Sequence, residues 1–137
     1  MSSAPPSPFG AVLYAKDMAR LAGFYAGVAG LPVTETTADL TRLGHGPGAL
    51  LIHRIPAHIA ATFEIASPPE RREDAAIKLS FRVADLAAAR AEAARCGGGL
   101  DDATHEWEWA GDRICNAYDP EGNVLALHAP APGSTAA

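Results

Sequence analysis

Alternating polar side chains between residues 77 and 83 are the first candidates for chemistry. Lys78, Ser80 and Arg82 alternate with apolar residues, so a strand here would have one polar face and one apolar face. If the apolar face packs in the core, Lys78 and Arg82 face a cavity in which they could bind an anionic ligand. The alternative is that both cations are paired with carboxylates of the same cavity, such as that of Glu64, and only satisfy burial.

Two tryptophans are the second candidates. Trp107 and Trp109 would share one side of a strand, and Glu106 and Glu108 would share the other. Tryptophans in the cavity would form a stacking platform, and nearby carboxylates would favour a cationic aromatic ligand, with roughly 0.5–2 kcal/mol from each stacking or cation–π contact. The alternative is that the tryptophans cover a sheet edge or a dimer contact while the glutamates are solvated.

The charge distribution argues against a nucleic-acid partner. The chain of 137 residues carries 11 basic and 16 acidic side chains and a formal net charge of −5, whereas nucleic-acid binding needs a basic face. The imbalance lies between Asp101 and Glu121, which hold seven acidic residues between them and only one basic residue, Arg113. This stretch is either the anionic side of the ligand cavity or a solvated outer surface.

The sequence shows neither a membrane span nor a signal peptide, and its cysteines bear on where the protein is located. No apolar run approaches the ~18 residues of a membrane span, and residues 1–8 have no basic or long apolar region typical of a signal peptide. Cys96 and Cys115 have no metal-binding spacing, which favours reduced thiols. We therefore expect a cytoplasmic protein with no membrane partner, and flexible tails at residues 1–8 and 130–137.

The elements that would position these residues occur twice. A strand, a capping aspartate, a helix and a glycine stop recur at one spacing, with Asp17 and Asp85 as caps and Gly30 and Gly98 as stops. We predict one domain at residues 9–129, made of module one (9–66), a connector (67–76) and module two (77–129). The predicted strands of module one are 9–16, 33–37, 40–45, 49–54 and a further short one at 60–66, around a helix at 18–29. The predicted strands of module two are 77–83, 104–109, 113–118 and 124–129, with a helix at 86–96.

Three motifs resemble those of the vicinal oxygen chelate superfamily, which includes glyoxalase I, bleomycin and fosfomycin resistance proteins, and extradiol dioxygenases. They are Val12-Leu-Tyr-Ala-Lys-Asp17 leading into Phe24-Tyr25, Val83-Ala-Asp-Leu86, and Asp119-Pro-Glu-Gly-Asn-Val-Leu-Ala-Leu-His128. The resemblance implies an α+β fold in which two βαβββ modules form a cup-shaped mixed sheet around a binding site. It also implies a homodimer, and it places Tyr14 toward the cup.

In metal enzymes of this superfamily, four strand positions hold a divalent ion. The resemblance puts Gly10, His53, Lys78 and Ala126 at these positions, and only the histidine is a competent ligand. We therefore expect a protein of the glyoxalase and bleomycin-resistance type that binds a small molecule in its cup without a metal or other cofactor. Whether it catalyses a reaction stays open.

The alternative is a divalent-metal-dependent lyase or dioxygenase with a displaced site. If residues 60–66 formed the relevant strand, Glu64 would replace His53, and His128 shares a strand face with residues 124 and 126. Taken together, His53, Glu64 and His128 are the candidate metal ligands of this displaced site. The predicted ligand-binding residues are Tyr14, His53, Lys78, Arg82, Trp107, Trp109 and His128.

Overall fold

A computed structural model describes residues 9–44 and 48–133. The predicted tail at 1–8, residues 134–137 of the predicted tail at 130–137, and His45, which we expected on the surface, lie outside these residues. The second predicted tail begins too early, because the last strand continues to Pro130 and Ala131 is buried. Among the described residues, no helix is both long enough and apolar enough to cross a membrane.

The chain forms nine strands and three α-helices within the described ranges. The elements of the first half are β1 (Gly10–Ala15), α1 (Met18–Val28), β2 (Val33–Thr36), β3 (Leu40–Leu43), β4 (Ala49–Arg54) and α2 (Ala57–Ala60). The elements of the second half are β5 (Leu79–Arg82), α3 (Leu86–Arg95), β6 (Gly99–Leu100), β7 (Trp107–Trp109), β8 (Asp112–Tyr118) and β9 (Val124–Pro130).

The strands form two mixed sheets with the same internal plan. Sheet one has the order β1-β4-β3-β2, and sheet two has the order β5-β9-β8-β6 with β7 also paired to β8. In each sheet the first strand is parallel to the last strand of its module, and the other pairs are antiparallel. The predicted α+β fold of two βαβββ modules is therefore confirmed.

Both predicted helix caps are present. The Asp17 carboxylate accepts a hydrogen bond from the Arg20 amide at 3.1 Å, and Asp85 accepts one from the Ala88 amide at 2.9 Å. Each bond satisfies an amide that has no partner within its helix. Gly30 follows α1 with a positive φ of 68°, a conformation that costs glycine little. The local chemistry of the sequence thus sets where both helices begin.

The core lies between the helices and one face of each sheet. Helix α1 contacts sheet one and buries Leu21, Phe24 and Tyr25, α3 contacts sheet two, and the two helices contact each other. In β1 the outward residues Val12 and Tyr14 are exposed, whereas the alternate residues Ala11 and Leu13 are half-buried and Ala15 is buried. We call the face of each sheet that lies opposite these helices its open face.

The last turn of module two is bonded to module one. The Glu121 carboxylate accepts hydrogen bonds from the backbone amides of Lys16 at 2.9 Å and Asp17 at 2.8 Å, and its side chain is buried. The Tyr25 hydroxyl donates to the Asp119 carboxylate at 2.8 Å. These buried bonds connect the Asp-Pro-Glu-Gly-Asn turn to the junction between β1 and α1, so the two modules share one core.

The predicted strand at 60–66 is wrong. Residues 57–60 form the short helix α2, and no strand follows before residue 67. The Lys16 ammonium accounts for the difference, because it donates to the carbonyl oxygens of Ala60 and Phe63 that a sheet ladder would otherwise use.

Two further predictions needed shorter bounds. The strand predicted at 77–83 covers only Leu79–Arg82, which leaves Lys78 just before it. The strand predicted at 104–109 begins at Trp107, since Asp102 accepts from the Thr104 amide at 3.0 Å and starts a 3-10 turn there. The two-residue strand β6 was not predicted.

Candidate functional site

The strand register of sheet two places four side chains in one row across its open face. Arg82 pairs with His128, His128 with Ile114, and Ile114 with Trp107. Paired residues of neighbouring strands point to the same face, about 5 Å apart. The row therefore runs from a cation, past an imidazole and an apolar residue, to an aromatic ring.

Both tryptophans lie on this open face, as the alternation of β7 predicts. Trp109 is 72% exposed and Trp107 is 41% exposed. Trp109 pairs with Asp112 across the ladder to β8, and Trp107 pairs with Ile114. A tryptophan so exposed contributes little to the core, so the pair is available to stack on a flat ligand.

Lys78 borders the same surface. Its Nζ donates to the Asn116 side-chain oxygen at 2.9 Å and lies 5.9 Å from the centre of the Trp107 ring. The expected pairing with Glu64 is absent, since Glu64 is almost fully exposed and lies 3.8 Å from Lys16. A neutral amide satisfies a donor of Lys78 without cancelling its charge, so the open face keeps a cation beside its aromatic ring.

Asp112 joins the remaining two polar residues of the site. Its Oδ2 lies 2.8 Å from Nδ1 of His128 and 3.3 Å from Nη1 of Arg82. The side chains of Asp112 and His128 are 17% and 27% exposed. One carboxylate therefore orients both an imidazole and a guanidinium on the open face.

Sheet one carries the other two predicted residues. Tyr14 and His53 are paired in the ladder between β1 and β4, and their ring centres lie 5.7 Å apart. Nδ1 of His53 lies 2.9 Å from the Arg54 carbonyl oxygen. Within the described ranges, no contact joins this pair to the groups of sheet two, so the seven predicted residues form one group on each sheet.

The residues at the superfamily's metal positions do not fit a divalent ion. Gly10 and Ala126 have no donor side chain, and Lys78 is a cation that already donates to Asn116. His53, Glu64 and His128 of the alternative site are not brought together, and the described residues contain no group of three or more His, Cys, Asp or Glu side chains placed to hold a metal. We therefore derive no chemistry through a metal ion.

Glu106 lies on the helix side of sheet two, opposite the tryptophans. Its side chain is only 7% exposed and accepts from Arg90, and from Nε of Arg113 at 2.7 Å. Burial by itself would raise the pKa of Glu106, but the hydrogen bonds and charges of the two arginines hold the pKa below its usual range. The expectation that the glutamates are solvated is therefore wrong for Glu106, while Glu108 is largely exposed.

This placement changes the charge expected of a ligand. Glu106 and Glu108, which alternation puts on the other side of the strand from the tryptophans, bind Arg90 and Arg113 on the helix side. The charged groups beside the tryptophans are instead Lys78, Arg82 and the shared Asp112. The open face of sheet two consequently favours an anion.

Sequence reasoning missed Asp112 and Asn116. Both alternate with the buried Cys115 and Ala117 along β8 and so share the open face, which is a signal present in the sequence. Their partners, Arg82 and Lys78, are 30 and 38 residues away along the chain. The pairing depends on strand register, which the sequence does not show.

A cavity of about 430 Å³ lies where the two modules meet. Most of its wall is apolar and comes from β1, β5 and β9, with Arg72 and Asn123 as the polar exceptions. Arg72 donates to the Glu121 carbonyl oxygen at 3.3 Å, and Asn123 donates to Asp119 at 2.8 Å. The polar side chains of this cavity thus serve the turn that connects the modules.

The repeated βαβββ modules, each with an open-faced mixed sheet, define the class of protein. The family model described as a glyoxalase-like domain matches residues 10–128. The chain therefore belongs to the glyoxalase-like domain family, which lies within the vicinal oxygen chelate superfamily. No curated protein matches the chain.

Solved structures share this fold at low sequence identity. A glyoxalase/bleomycin resistance protein/dioxygenase family enzyme from Burkholderia phytofirmans PsJN is 20% identical, with a TM-score of 0.64 over 89% of this chain and 97% of its own. The fosfomycin resistance protein FosX from Mesorhizobium loti is 12% identical, with a TM-score of 0.59 over 96% and 95%. A glyoxalase/bleomycin resistance protein from Albidiferax ferrireducens T118 is 14% identical, with a TM-score of 0.63 over 89% and 97%. At these identities the likeness shows the fold alone.

Proposed function

We propose that the protein binds a small aromatic anion on the open face of sheet two, and that it does so without a metal ion. The observation that carries this proposal is the exposed pair Trp107 and Trp109, with the Lys78 ammonium near the Trp107 ring; among the described residues, no carboxylate forms an ion pair with Lys78. The chemistry of the residues at the superfamily's metal positions supports metal independence, because His53 is a competent ligand but Gly10, Lys78 and Ala126 are not.

The expected contributions suit a weakly to moderately bound small molecule. Stacking on a tryptophan adds about 0.5–1.5 kcal/mol beyond area burial, and a hydrogen bond to a charged group adds about 1.5–3 kcal/mol. Arg82 already shares Asp112 with His128, so Lys78 is the principal anion-binding group of the proposed site. Tyr14 and His53 would contact only those ligands that reach across from sheet two to sheet one.

Intrinsic tryptophan fluorescence tests the proposal directly, since the chain has only two tryptophans and both lie at the site. The probes are three isosteric compounds: 1-naphthoate, neutral 1-naphthamide and cationic 1-naphthylmethylammonium. We expect quenching in the order anion, neutral, cation, with Lys78→Gln removing the preference for the anion. Arg42→Gln, which changes an exposed cation on sheet one, is the matched control and leaves the preference intact.

The opposite outcomes are equally specific. A preference for the naphthylmethylammonium ion, or equal binding by wild type and Lys78→Gln, contradicts an anion site. Binding that is lost after dialysis against chelator, together with stoichiometric metal that disappears in His53→Ala, would support the alternative of a divalent-metal-dependent lyase or dioxygenase.

The homodimer and the cytoplasmic location belong to the same proposal. Val12, Tyr14 and Ile77 are exposed at 49%, 64% and 79%, which leaves apolar surface along β1 and before β5 for a second copy to cover. Cys96 and Cys115 are free thiols, as a reducing compartment favours. Light scattering at micromolar concentration distinguishes a dimer from a monomer, and Ile77→Lys is expected to shift it toward the monomer.

A further inference from the structure

We infer that His128, oriented by Asp112, acts as a general base toward an aromatic molecule bound on the open face of sheet two. The inference rests on the proposed function, because it takes the aromatic site beside Trp107 as the place where the substrate binds. It adds a reaction class, proton abstraction, to a site so far described only as a binding surface.

The hydrogen bond between the two side chains fixes the protonation pattern of the imidazole. Oδ2 of Asp112 lies 2.8 Å from Nδ1 of His128, and an ionised carboxylate can only accept a hydrogen bond. In the neutral imidazole Nδ1 therefore carries the hydrogen, and the lone pair is on Nε2. Among the described residues, none makes a hydrogen bond to Nε2, so this nitrogen is available to take a proton.

Asp112 is a positioning residue in this arrangement. Arg82 donates to the same Oδ2 at 3.3 Å, and the Asp112 side chain is 17% exposed, so the carboxylate is held from two sides. Its charge also stabilises the imidazolium that forms when Nε2 takes a proton, as the carboxylate does in other acid–histidine pairs.

The row across the sheet places a substrate within reach of this base. His128 is two strands away from Trp107, roughly 10 Å at the usual strand spacing, with Ile114 between them on the same face. An aromatic ring stacked on Trp107 and lying over Ile114 has its far edge toward His128. The imidazole is 27% exposed, which is open enough for contact with a ligand.

The substrate class follows from these groups: a flat aromatic molecule with an acidic C–H hydrogen at its edge, whose deprotonated form is an anion. Nε2 takes the proton, and the electron pair of the broken C–H bond moves into the substrate. Lys78 and Arg82 lie on the same face, where they stabilise the developing negative charge. The imidazolium returns the proton to the product or to water, which leaves the protein unchanged.

The probe for this base is 5-nitrobenzisoxazole, a neutral aromatic compound whose ring opening begins with removal of one C–H proton. The C–H electrons form a nitrile, the N–O bond breaks, and the product is a coloured nitrophenolate, itself an aromatic anion. Proton transfer by a positioned side chain contributes about 10²–10⁴-fold, so we expect His128→Ala to lower kcat by about 100-fold. Added imidazole should restore part of that activity.

Matched variants separate the role of each residue. Asp112→Asn should lower kcat by tenfold or more with KM unchanged, because the substrate still stacks on Trp107. Trp109→Ala should raise KM with a smaller effect on kcat. His58→Ala removes an exposed imidazole on α2, outside the proposed site, and should change neither kcat nor KM. His128→Gln is a second variant in case the alanine variant does not fold. It should also lose activity, while its circular dichroism spectrum matches that of wild type.

Two failures are distinguishable. If 1-naphthoate quenches the tryptophans but wild type and His128→Ala turn over the probe at equal rates, the base assignment is wrong and the binding site stands. If 1-naphthoate does not bind, the proposed function fails first. A rate that depends on His128 but is unaffected by Asp112→Asn would overturn the orienting role of Asp112.

Discussion

Replacing Glu106 with glutamine removes the charge that joins Arg90 to Arg113 on the helix side of sheet two. The Glu106 side chain is 7% exposed, and its two oxygens accept from different arginines. A net hydrogen bond to a charged group contributes about 1.5–3 kcal/mol. Glutamine keeps one acceptor, and both guanidinium groups are about one-third exposed and can be hydrated. We therefore expect the free energy of unfolding to fall by about 2 kcal/mol.

Glu108→Gln is the matched control. Glu108 lies two residues further along the chain, in β7, and contacts the same Arg113, but at 3.5 Å and with 59% of its side chain exposed. Exposed pairs of this kind contribute little, so its loss should cost less than about 0.5 kcal/mol.

Urea unfolding at pH 7 measures both variants. With a denaturant slope of about 2 kcal/mol per molar, a loss of 2 kcal/mol lowers the midpoint by about 1 M. The pKa of Glu106 is lowered in the folded protein, so its contribution is complete above the unfolded pKa of about 4.3 and is lost as the pH falls through the folded value. The difference from wild type should shrink in acid. Equal midpoints for Glu106→Gln and Glu108→Gln at pH 7 would refute the reasoning.

Three further predictions concern the core and its turns. Tyr25→Phe removes the donor that reaches the buried Asp119 at 2.8 Å, so chemical denaturation should show a loss of about 1–3 kcal/mol, and an unchanged midpoint would contradict a stabilising bond. Gly122→Ala should lower the free energy of unfolding strongly, because φ is +87° and the added Cβ would lie 2.1 Å from the backbone oxygen of Glu70 in the connector. Gly23→Ala is the comparison: Gly23 is on α1 with open space around it, so alanine there should raise the free energy of unfolding by up to about 1 kcal/mol. Cys115 is fully buried, and burial raises the pKa of its thiol, so it should react with a thiol reagent only when the protein unfolds; rapid labelling of the native protein would oppose this.

The fold was predictable wherever local chemistry decides the structure. Asp17 and Asp85 cap their helices through bonds to amides three residues away, and such short-range signals are visible in the sequence. The strand predicted at 60–66 failed for the opposite reason. Its carbonyl groups bond to the side chain of Lys16, more than 40 residues earlier, and no local pattern reveals that contact.

In the candidate site, too, local patterns were predictable from the sequence and long-range contacts were not. Alternation correctly placed Trp107 and Trp109 on one face, because the period of a strand is a local property. The partners of Lys78 and Arg82 were not predictable, since they depend on which strand lies beside β9 and in which register. That register also decides the charge of the expected ligand, because it places the Lys78 ammonium beside Asn116 and the Trp107 ring.

The two hydrogen bonds that the Glu121 carboxylate accepts from the amides just before α1 bear on the order in which the two modules fold during synthesis. Glu121 follows Lys16 by 105 residues, so the first module leaves the ribosome well before the residue that secures the start of its helix. Contacts of such long sequence separation slow folding, since a large loop must close before they form. We therefore expect the first module to complete its structure only after the second has been synthesised, so that both fold together in one late step.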